Sequence, residues 1–124
     1  MVVDDSVSVR RVMMNLLKKA GWIVIEAKDG LDAIDQLHQA PHKPDLILLD
    51  VEMPRMDGYE LLGSLRSQDE YRETPIVMVT SRSGDKHRNK AMQLGATDYV
   101  VKPYQDDQLL SLIRRLLIRE PALV

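Results

Sequence analysis

An α/β fold, a five-stranded parallel sheet doubly wound by helices on both faces, is predicted by three observations on this sequence. The first is a set of five short apolar runs rich in branched side chains: Met1-Val2-Val3, Trp22-Ile23-Val24-Ile25, Leu46-Ile47-Leu48-Leu49, Ile76-Val77-Met78-Val79 and Tyr99-Val100-Val101. Runs of this kind read as strands buried on both faces, as parallel strands are. The second is a helical pattern between each run and the next, and strict alternation of strand and helix places the sheet between two helical layers. The third is what stands at the end of each run: Asp4-Asp5, Ala27, Asp50, Thr80 and Lys102. The carboxyl ends of parallel strands share one edge, where ligands bind. Three carboxylates, a hydroxyl and an ammonium are therefore expected to meet there, with Ala27 only packing.

Each element has its own justification. Only Met1, Val2 and Val3 precede the paired aspartates, fewer than the usual five or so residues of a strand. The chain thus either starts at a trimmed boundary, cut from a longer protein, or has an unusually short first strand. Ser6 is a good helix cap, and Val9, Val12, Met13, Leu16, Leu17 and Ala20 follow at helical spacing until Gly21. The second helix is expected from about Asp29 to Ala40, with Leu31, Ile34 and Leu37 facing the sheet and Pro41 ending it. The third starts after Pro54 to Gly58 and carries Tyr59, Leu61, Leu62 and Leu65, with Gly63 weakening it by about 1 kcal/mol relative to alanine. Between about Gly84 and Leu94 only Ala91, Met92 and Leu94 are apolar, so the fourth helix is loosely held by its own sequence. Gln105 to Arg119 returns to strong amphipathicity through Leu109, Leu110, Ile113, Leu116 and Leu117. One domain over residues 1–119 and a frayed tail over 120–124 are the expected organisation.

Composition narrows the function classes. A length of 124 residues with 44% hydrophobic residues suits one domain with one core. The absence of cysteine excludes a disulfide scaffold, thiolate zinc sites and thiol catalysis, and is compatible with a reducing cytosol. No apolar stretch approaches the roughly 20 residues that cross a bilayer, so neither a membrane span nor membrane binding is expected. A net charge of −2 offers no general attraction to nucleic acid.

The candidate chemistry lies at the predicted edge. Asp4, Asp5 and Asp50 crowded together repel one another, which a hard divalent cation would relieve; magnesium suits oxygen ligands and one or two carboxylates. Asp4 and Asp5 could equally serve to cap the first helix. Asp50, directly after Leu46-Ile47-Leu48-Leu49 and outside any obvious cap, has no such structural role. Lys102 and Thr80 supply an ammonium and a hydroxyl for the oxygens of a phosphoryl group carried on a carboxylate.

With those residues in view, the chain resembles a receiver domain of two-component signalling, the family that includes bacterial response regulators. The resemblance rests on Val2-Val3-Asp4-Asp5-Ser6, on Leu48-Leu49-Asp50-Val51-Glu52-Met53-Pro54-Arg55-Met56-Asp57-Gly58, on Val79-Thr80-Ser81 and on Asp98-Tyr99-Val100-Val101-Lys102-Pro103. It implies a flavodoxin-like (βα)5 fold with strand order 2-1-3-4-5. It also implies that Asp50 is the phosphoacceptor, attacking a phosphohistidine of a histidine kinase or histidine phosphotransfer domain. Magnesium would be bound by Asp5, Asp50 and the backbone carbonyl of Glu52, with Asp4 acting on it through water. Lys102 would contact the phosphoryl group, Thr80 would move toward it, and Tyr99 would then swing inward into space vacated near Thr80; the alternative for Tyr99 is a half-buried edge aromatic. The Lys102-Pro103 bond would be cis. A downstream protein would read the change on the face of helix 4, strand 5 and helix 5. The wording Thr80-Ser81-Arg82-Ser83-Gly84-Asp85-Lys86-His87-Arg88 with Lys102-Pro103-Tyr104 resembles receivers at the carboxyl end of chemotaxis-type hybrid histidine kinases, cytoplasmic in location.

Glu52 and Arg82 each lie two residues beyond a site residue, at positions that in the receiver family flank the path of hydrolytic water; either they pair across the site and slow dephosphorylation, or they are two solvated side chains. The basic run Arg82, Lys86, Arg88 and Lys90 reads as a solvated face or a docking face for an acidic partner, since no nucleic-acid recognition helix is evident. Two rivals remain. One is a small phosphohydrolase of the HAD type with an aspartyl-phosphate intermediate, for which Asp50-Val51-Glu52 has suitable spacing but the chain little room for a substrate cap. The other is a flavin-binding module, disfavoured because no Gly, Ser and Thr loop for phosphate follows the first strand.

Overall fold

The computed structural model describes residues 1–118. The element order is β1 (Val2–Val3), α1 (Val7–Lys19), β2 (Glu26–Ala27), α2 (Gly30–Gln39), β3 (Ile47–Leu49), α3 (Gly58–Arg66), β4 (Ile76–Thr80), α4 (Asp85–Gln93), β5 (Asp98–Val101) and α5 (Asp106–Leu117), with a short 3₁₀ turn at Asp69–Tyr71 before β4. All strands pair in parallel in the order β2-β1-β3-β4-β5. Two hydrophobic layers sandwich the sheet. Met13 and Leu17 of α1 and Leu109, Leu112 and Ile113 of α5 pack with Val2, Leu48, Val77 and Val79 on one face. On the other, Ala33 and Leu37 of α2, Leu61, Leu62 and Leu65 of α3 and Ala91 of α4 meet Val3, Ile47, Leu49, Ile76 and Met78. Successive strand residues thus serve opposite faces, which is why the runs lack polar alternation. No helix among the described residues is long and apolar enough to cross a membrane.

Most helix boundaries follow their caps. Ser6 accepts the Val9 amide, Asp29 that of Asp32 and Asp57 that of Glu60. The fourth helix has no side-chain cap: Gly84, at φ 102°, starts it, and Ala91 is its one buried residue. With Gly63 in it, α3 is short, nine residues. The last helix ends at Leu117; Arg119 and the expected tail 120–124 lie outside the described residues.

Two expectations are corrected. The second strand is Glu26–Ala27, not Trp22–Ile25. Gly21, at φ 94°, turns the chain beneath the sheet edge, and Trp22 and Val24 pack into the α1/α5 layer. Ile23 is 98% exposed. That run is apolar because it covers a helical layer, and it contributes only the Ile25 carbonyl to Val2. On α2, Leu31 is turned to solvent while Ala33 is fully buried, because α2 lies so close to the sheet and to the loop after β3 that a small side chain fits where a leucine would not. At Gly30 an added Cβ would come within 2.8 Å of Met56 Cβ and of the Met56 carbonyl oxygen.

The loop after β3 is held to α2 by charge as well as by contact. Arg55, at φ 66°, donates from Nε and Nη2 to the two oxygens of Asp29, at 2.9 and 2.8 Å. Burial opposes ionisation of Asp29, but the Asp32 amide and the Arg55 guanidinium overcome it and hold the carboxyl below the usual aspartate range. A depressed folded pKa contributes stability above the unfolded aspartate value and loses it as pH falls through the folded one. Arg55→Ala is therefore expected to cost about 1 kcal/mol at pH 7, discounted for the half-exposed arginine. Denaturant titrations should show this difference shrinking below about pH 4; a difference that persists at pH 2 would contradict the assignment.

Candidate functional site

Backbone hydrogen bonds bring the predicted site residues to one edge. Asp4 N donates to Ala27 O at 3.1 Å and Asp50 N to Val3 O at 2.9 Å, so Asp4 and Asp50 stand just past the ends of adjacent strands. On the other side of β3, Thr80 pairs with Val101, and Lys102 N donates to Thr80 O at 2.8 Å. The Lys102-Pro103 bond is cis.

Asp4, Asp5 and Asp50 each present an oxygen, and these oxygens lie within 4.8 Å of one another. Asp4 is buried, Asp50 half-buried and Asp5 exposed. Asp4 is held from two sides: Oδ1 accepts the amide of Ser6, the residue that caps α1, and Oδ2 accepts from Lys102 Nζ at 2.9 Å. Lys102 Nζ lies 4.0 Å from Asp50 Oδ2. Burial pushes the Asp50 carboxyl above its ordinary pKa; Lys102 pulls it back, Asp4 pushes it further up, and the Val51 amide and Thr80 hydroxyl favour its charge. A carboxyl crowded in this way, with two more carboxylate oxygens in reach, fits a small hard cation.

Glu52 and Arg82 do pair, Arg82 Nε donating to Glu52 Oε1 at 2.5 Å. Thr80 is fully buried, and its Oγ1 accepts the Arg82 amide at 3.2 Å. Tyr99 lies inward, 5% exposed, and so is not a half-buried edge aromatic. Its hydroxyl donates to Arg82 O at 2.7 Å, an acceptor that makes the buried position stable. Burial, then the neighbouring Tyr59 phenol, push the Tyr99 hydroxyl up to about 12, with Arg82 acting the other way.

Beside the carboxylates a cleft of about 480 Å³ opens among Asp5, Glu52, Met53, Tyr59, Arg82 and Lys90. A larger apolar cavity, about 670 Å³, lies at the opposite edge of the sheet among Trp22, Leu46, Ile113 and Leu117, away from the carboxylates. The basic run of α4 is partly committed: Lys90 Nζ stands 4.4 Å from the centre of the Tyr59 ring, and Arg88 lies 3.7 Å from Asp98. Sequence reasoning missed Tyr59, Arg55 and Asp29 as site-shaping residues. Tyr59 stands at core spacing, and its place directly after Gly58 is the one signal the sequence offers for it.

Comparison with known proteins follows the same lines. The family profile described as "Response regulator receiver domain" matches residues 1–114. The chain is 37% identical over 114 residues to Protein PilG of Pseudomonas aeruginosa, covering 92% of this chain and 83% of that one. It is 34% identical over 115 residues to Sensor histidine kinase CheAY of Helicobacter pylori, covering 93% of this chain but only 14% of the kinase. It spans about half the length of Probable transcriptional regulator ycf27 of Guillardia theta and Cyanophora paradoxa and of Response regulator MprA of a Mycobacterium species. Among solved structures, the signal receiver domain of a signal transduction histidine kinase from Syntrophus aciditrophicus superposes with TM-score 0.86 at 31% identity, covering 99% of this chain and 94% of that one. Chemotaxis protein CheY4 of Vibrio cholerae gives 0.84 at 36% identity, covering 93% and 94%. The phosphohydrolase alternative finds no support in these relatives.

Proposed function

The chain belongs to the response regulator receiver domain family, and from that premise we propose that Asp50 accepts a phosphoryl group from a phosphohistidine donor at a magnesium site formed by Asp5, Asp50 and the Glu52 carbonyl, with Asp4 acting through water. The observation that carries the reading is the convergence of the three carboxylates within 4.8 Å beside Lys102. The bond to phosphorus forms from an Asp50 oxygen as the bond from phosphorus to the imidazole nitrogen breaks. Asp50 Oδ1 accepts the Val51 amide at 2.8 Å, which fixes the rotation of the carboxylate and turns Oδ2 toward Lys102. The Thr80 hydroxyl accepts from Arg82 N, and its own hydrogen, directed at the Asp50 carboxylate, is the one that would turn to a phosphoryl oxygen. Asp5, Asp50 and the Glu52 carbonyl would hold the cation, which when bound would supply charge neutralisation for the crowded carboxylates and the transferring oxygens.

The phosphoryl group then favours one arrangement of Thr80, Tyr99 and α4 over another, and a partner reads that choice on the α4, β5 and α5 face. The similarity to a chemotaxis kinase supports placing this domain in a chemotaxis-type hybrid histidine kinase, working in the cytoplasm. The test is incubation with a small-molecule phosphodonor and magnesium, read by intact mass: one phosphoryl group per chain is expected, and continuous turnover of phosphate esters would overturn the reading.

Glu52 and Arg82 set the lifetime of the product. Their ion pair stands across the cleft, where hydrolytic water has to pass. Each of Glu52→Ala and Arg82→Ala is expected to shorten the phosphoryl half-life by about two- to fivefold, the range suited to an exposed pair. Unchanged half-lives in both would remove the role.

A further inference from the structure

The fourth helix poses a mechanical problem that the switch residues leave open. It buries one residue, Ala91, and has no side-chain cap, yet it forms part of the face on which a partner is to read the site. Tyr99 fastens the segment before it, through the Arg82 carbonyl, and α4 is tied to β5 through Arg88, at the Tyr99 carbonyl and at Asp98. On its other side the helix is fastened by a residue of α3. Tyr59, 7% exposed in the first turn of α3, directs its hydroxyl to α4: the oxygen lies 3.3 Å from His87 O, to which it donates, and 3.5 Å from His87 Nδ1. Lys90, one turn further along the same side of α4, places Nζ 4.4 Å from the centre of the Tyr59 ring, within the range of a cation–π contact. One side chain therefore grips two turns of α4, at a backbone acceptor and at a charge.

What lies behind Tyr59 gives the grip its significance. Gly58, the residue before it, donates its amide to Val51 O at 2.9 Å, and a Cβ at Gly58 would stand 2.1 Å from the Asp50 carbonyl oxygen. The start of α3 is thus in direct backbone contact with the predicted acceptor, and Tyr59 cannot shift independently of the Asp50–Val51 backbone.

We propose that Tyr59 is a second positioning residue for α4, coupling the Asp50 backbone to the partner-facing helix through α3, in parallel with the path through Thr80 and Tyr99. The coupling to phosphorylation rests on the function proposed above; the fastening of α4 does not. Tyr59→Phe removes the hydroxyl and keeps the ring over Lys90, whereas Lys90→Gln, at an exposed position, removes the cation without touching the core.

Hydrogen exchange read by mass spectrometry separates these effects. In Tyr59→Phe, amides of residues 87–91 are expected to exchange roughly three- to tenfold faster, the scale of one hydrogen bond, with those of α1 and α5 unchanged. Lys90→Gln is expected to give a smaller increase confined to the same peptides. After treatment with a small-molecule phosphodonor and magnesium, the change in α4 exchange seen in the wild type should be reduced in Tyr59→Phe. Wild-type exchange in α4, or equal acceleration in every helix, would overturn the proposal. Failure of Asp50 to become labelled would instead overturn the function proposed above and leave the α4 measurement on unlabelled protein standing.

Discussion

The Asp50→Asn protein is expected to gain no phosphoryl group from a small-molecule phosphodonor in the presence of magnesium, where the wild type gains one. The amide is a poor nucleophile toward phosphorus and carries no charge for a cation, so both functions assigned to the position go together. A second consequence separates this substitution from a merely damaging one. Burial raises the Asp50 pKa, with Asp4 adding to it. A raised folded pKa means that stability falls as pH rises through the range above the ordinary aspartate value, and at neutral pH the loss is in place. Asparagine removes that loss. In metal-free buffer at pH 7, Asp50→Asn should therefore melt higher than the wild type, by roughly 2–5 °C, and should show little further stabilisation when magnesium is added. Equal labelling of the two proteins would remove Asp50 from its role, and a lower melting temperature would contradict the crowded-carboxylate account.

Gly58→Ala is expected to be the most damaging single methyl group in the chain. The added Cβ would lie 2.1 Å from the Asp50 carbonyl oxygen and 2.9 Å from Val51 Cα. Both are backbone atoms, so no side-chain rotation relieves the overlap. Either α3 retreats, breaking the bond from Gly58 N to Val51 O, or the end of β3 is displaced with Asp50 on it. A cost of about 3 kcal/mol or more follows from overpacking of this severity, measured by denaturant titration, together with slower labelling of Asp50 in whatever fraction folds. Gly63→Ala, five residues along the same helix, is the control: its Cβ would meet only Leu94 Cδ2 at 4.0 Å. Comparable losses at the two positions would show that the close approach to Asp50 carries no special weight.

The strands of the centre were readable because they are buried on both sides. Ile47, Leu48 and Leu49 and Ile76 to Val79 have no solvent face, so their composition alone marks them. At the sheet edge the same signal misleads. Trp22 to Ile25 is as apolar as a strand, but it is covering α1 and α5 while the ladder forms at Glu26 and Ala27. Apolarity reports burial without saying which surface does the burying. Helices fared better, since a cap and a period are local properties, and Ser6, Asp29 and Asp57 act where they stand. Leu31 and Ala33 were exchanged because the choice between them depends on the clearance between α2 and the Met56 loop, a distance no periodicity contains.

By itself, the sequence determined which residues would meet. Parallel strands with chemistry at their carboxyl ends have only one edge to share, so the meeting of Asp4, Asp5, Asp50, Thr80 and Lys102 follows from chain order and strand direction. What only the tertiary structure decided is how those residues and their neighbours are held. Lys102 sits closer to Asp4 than to Asp50, Tyr99 lies inward on the Arg82 carbonyl, Arg55 grips Asp29, and Tyr59 grips α4. Each of these joins segments far apart in the chain through a donor and an acceptor whose fit is set by ångström-scale packing of helices on the sheet. Direction along a strand is written locally, whereas the spacing between layers is a sum over the whole core.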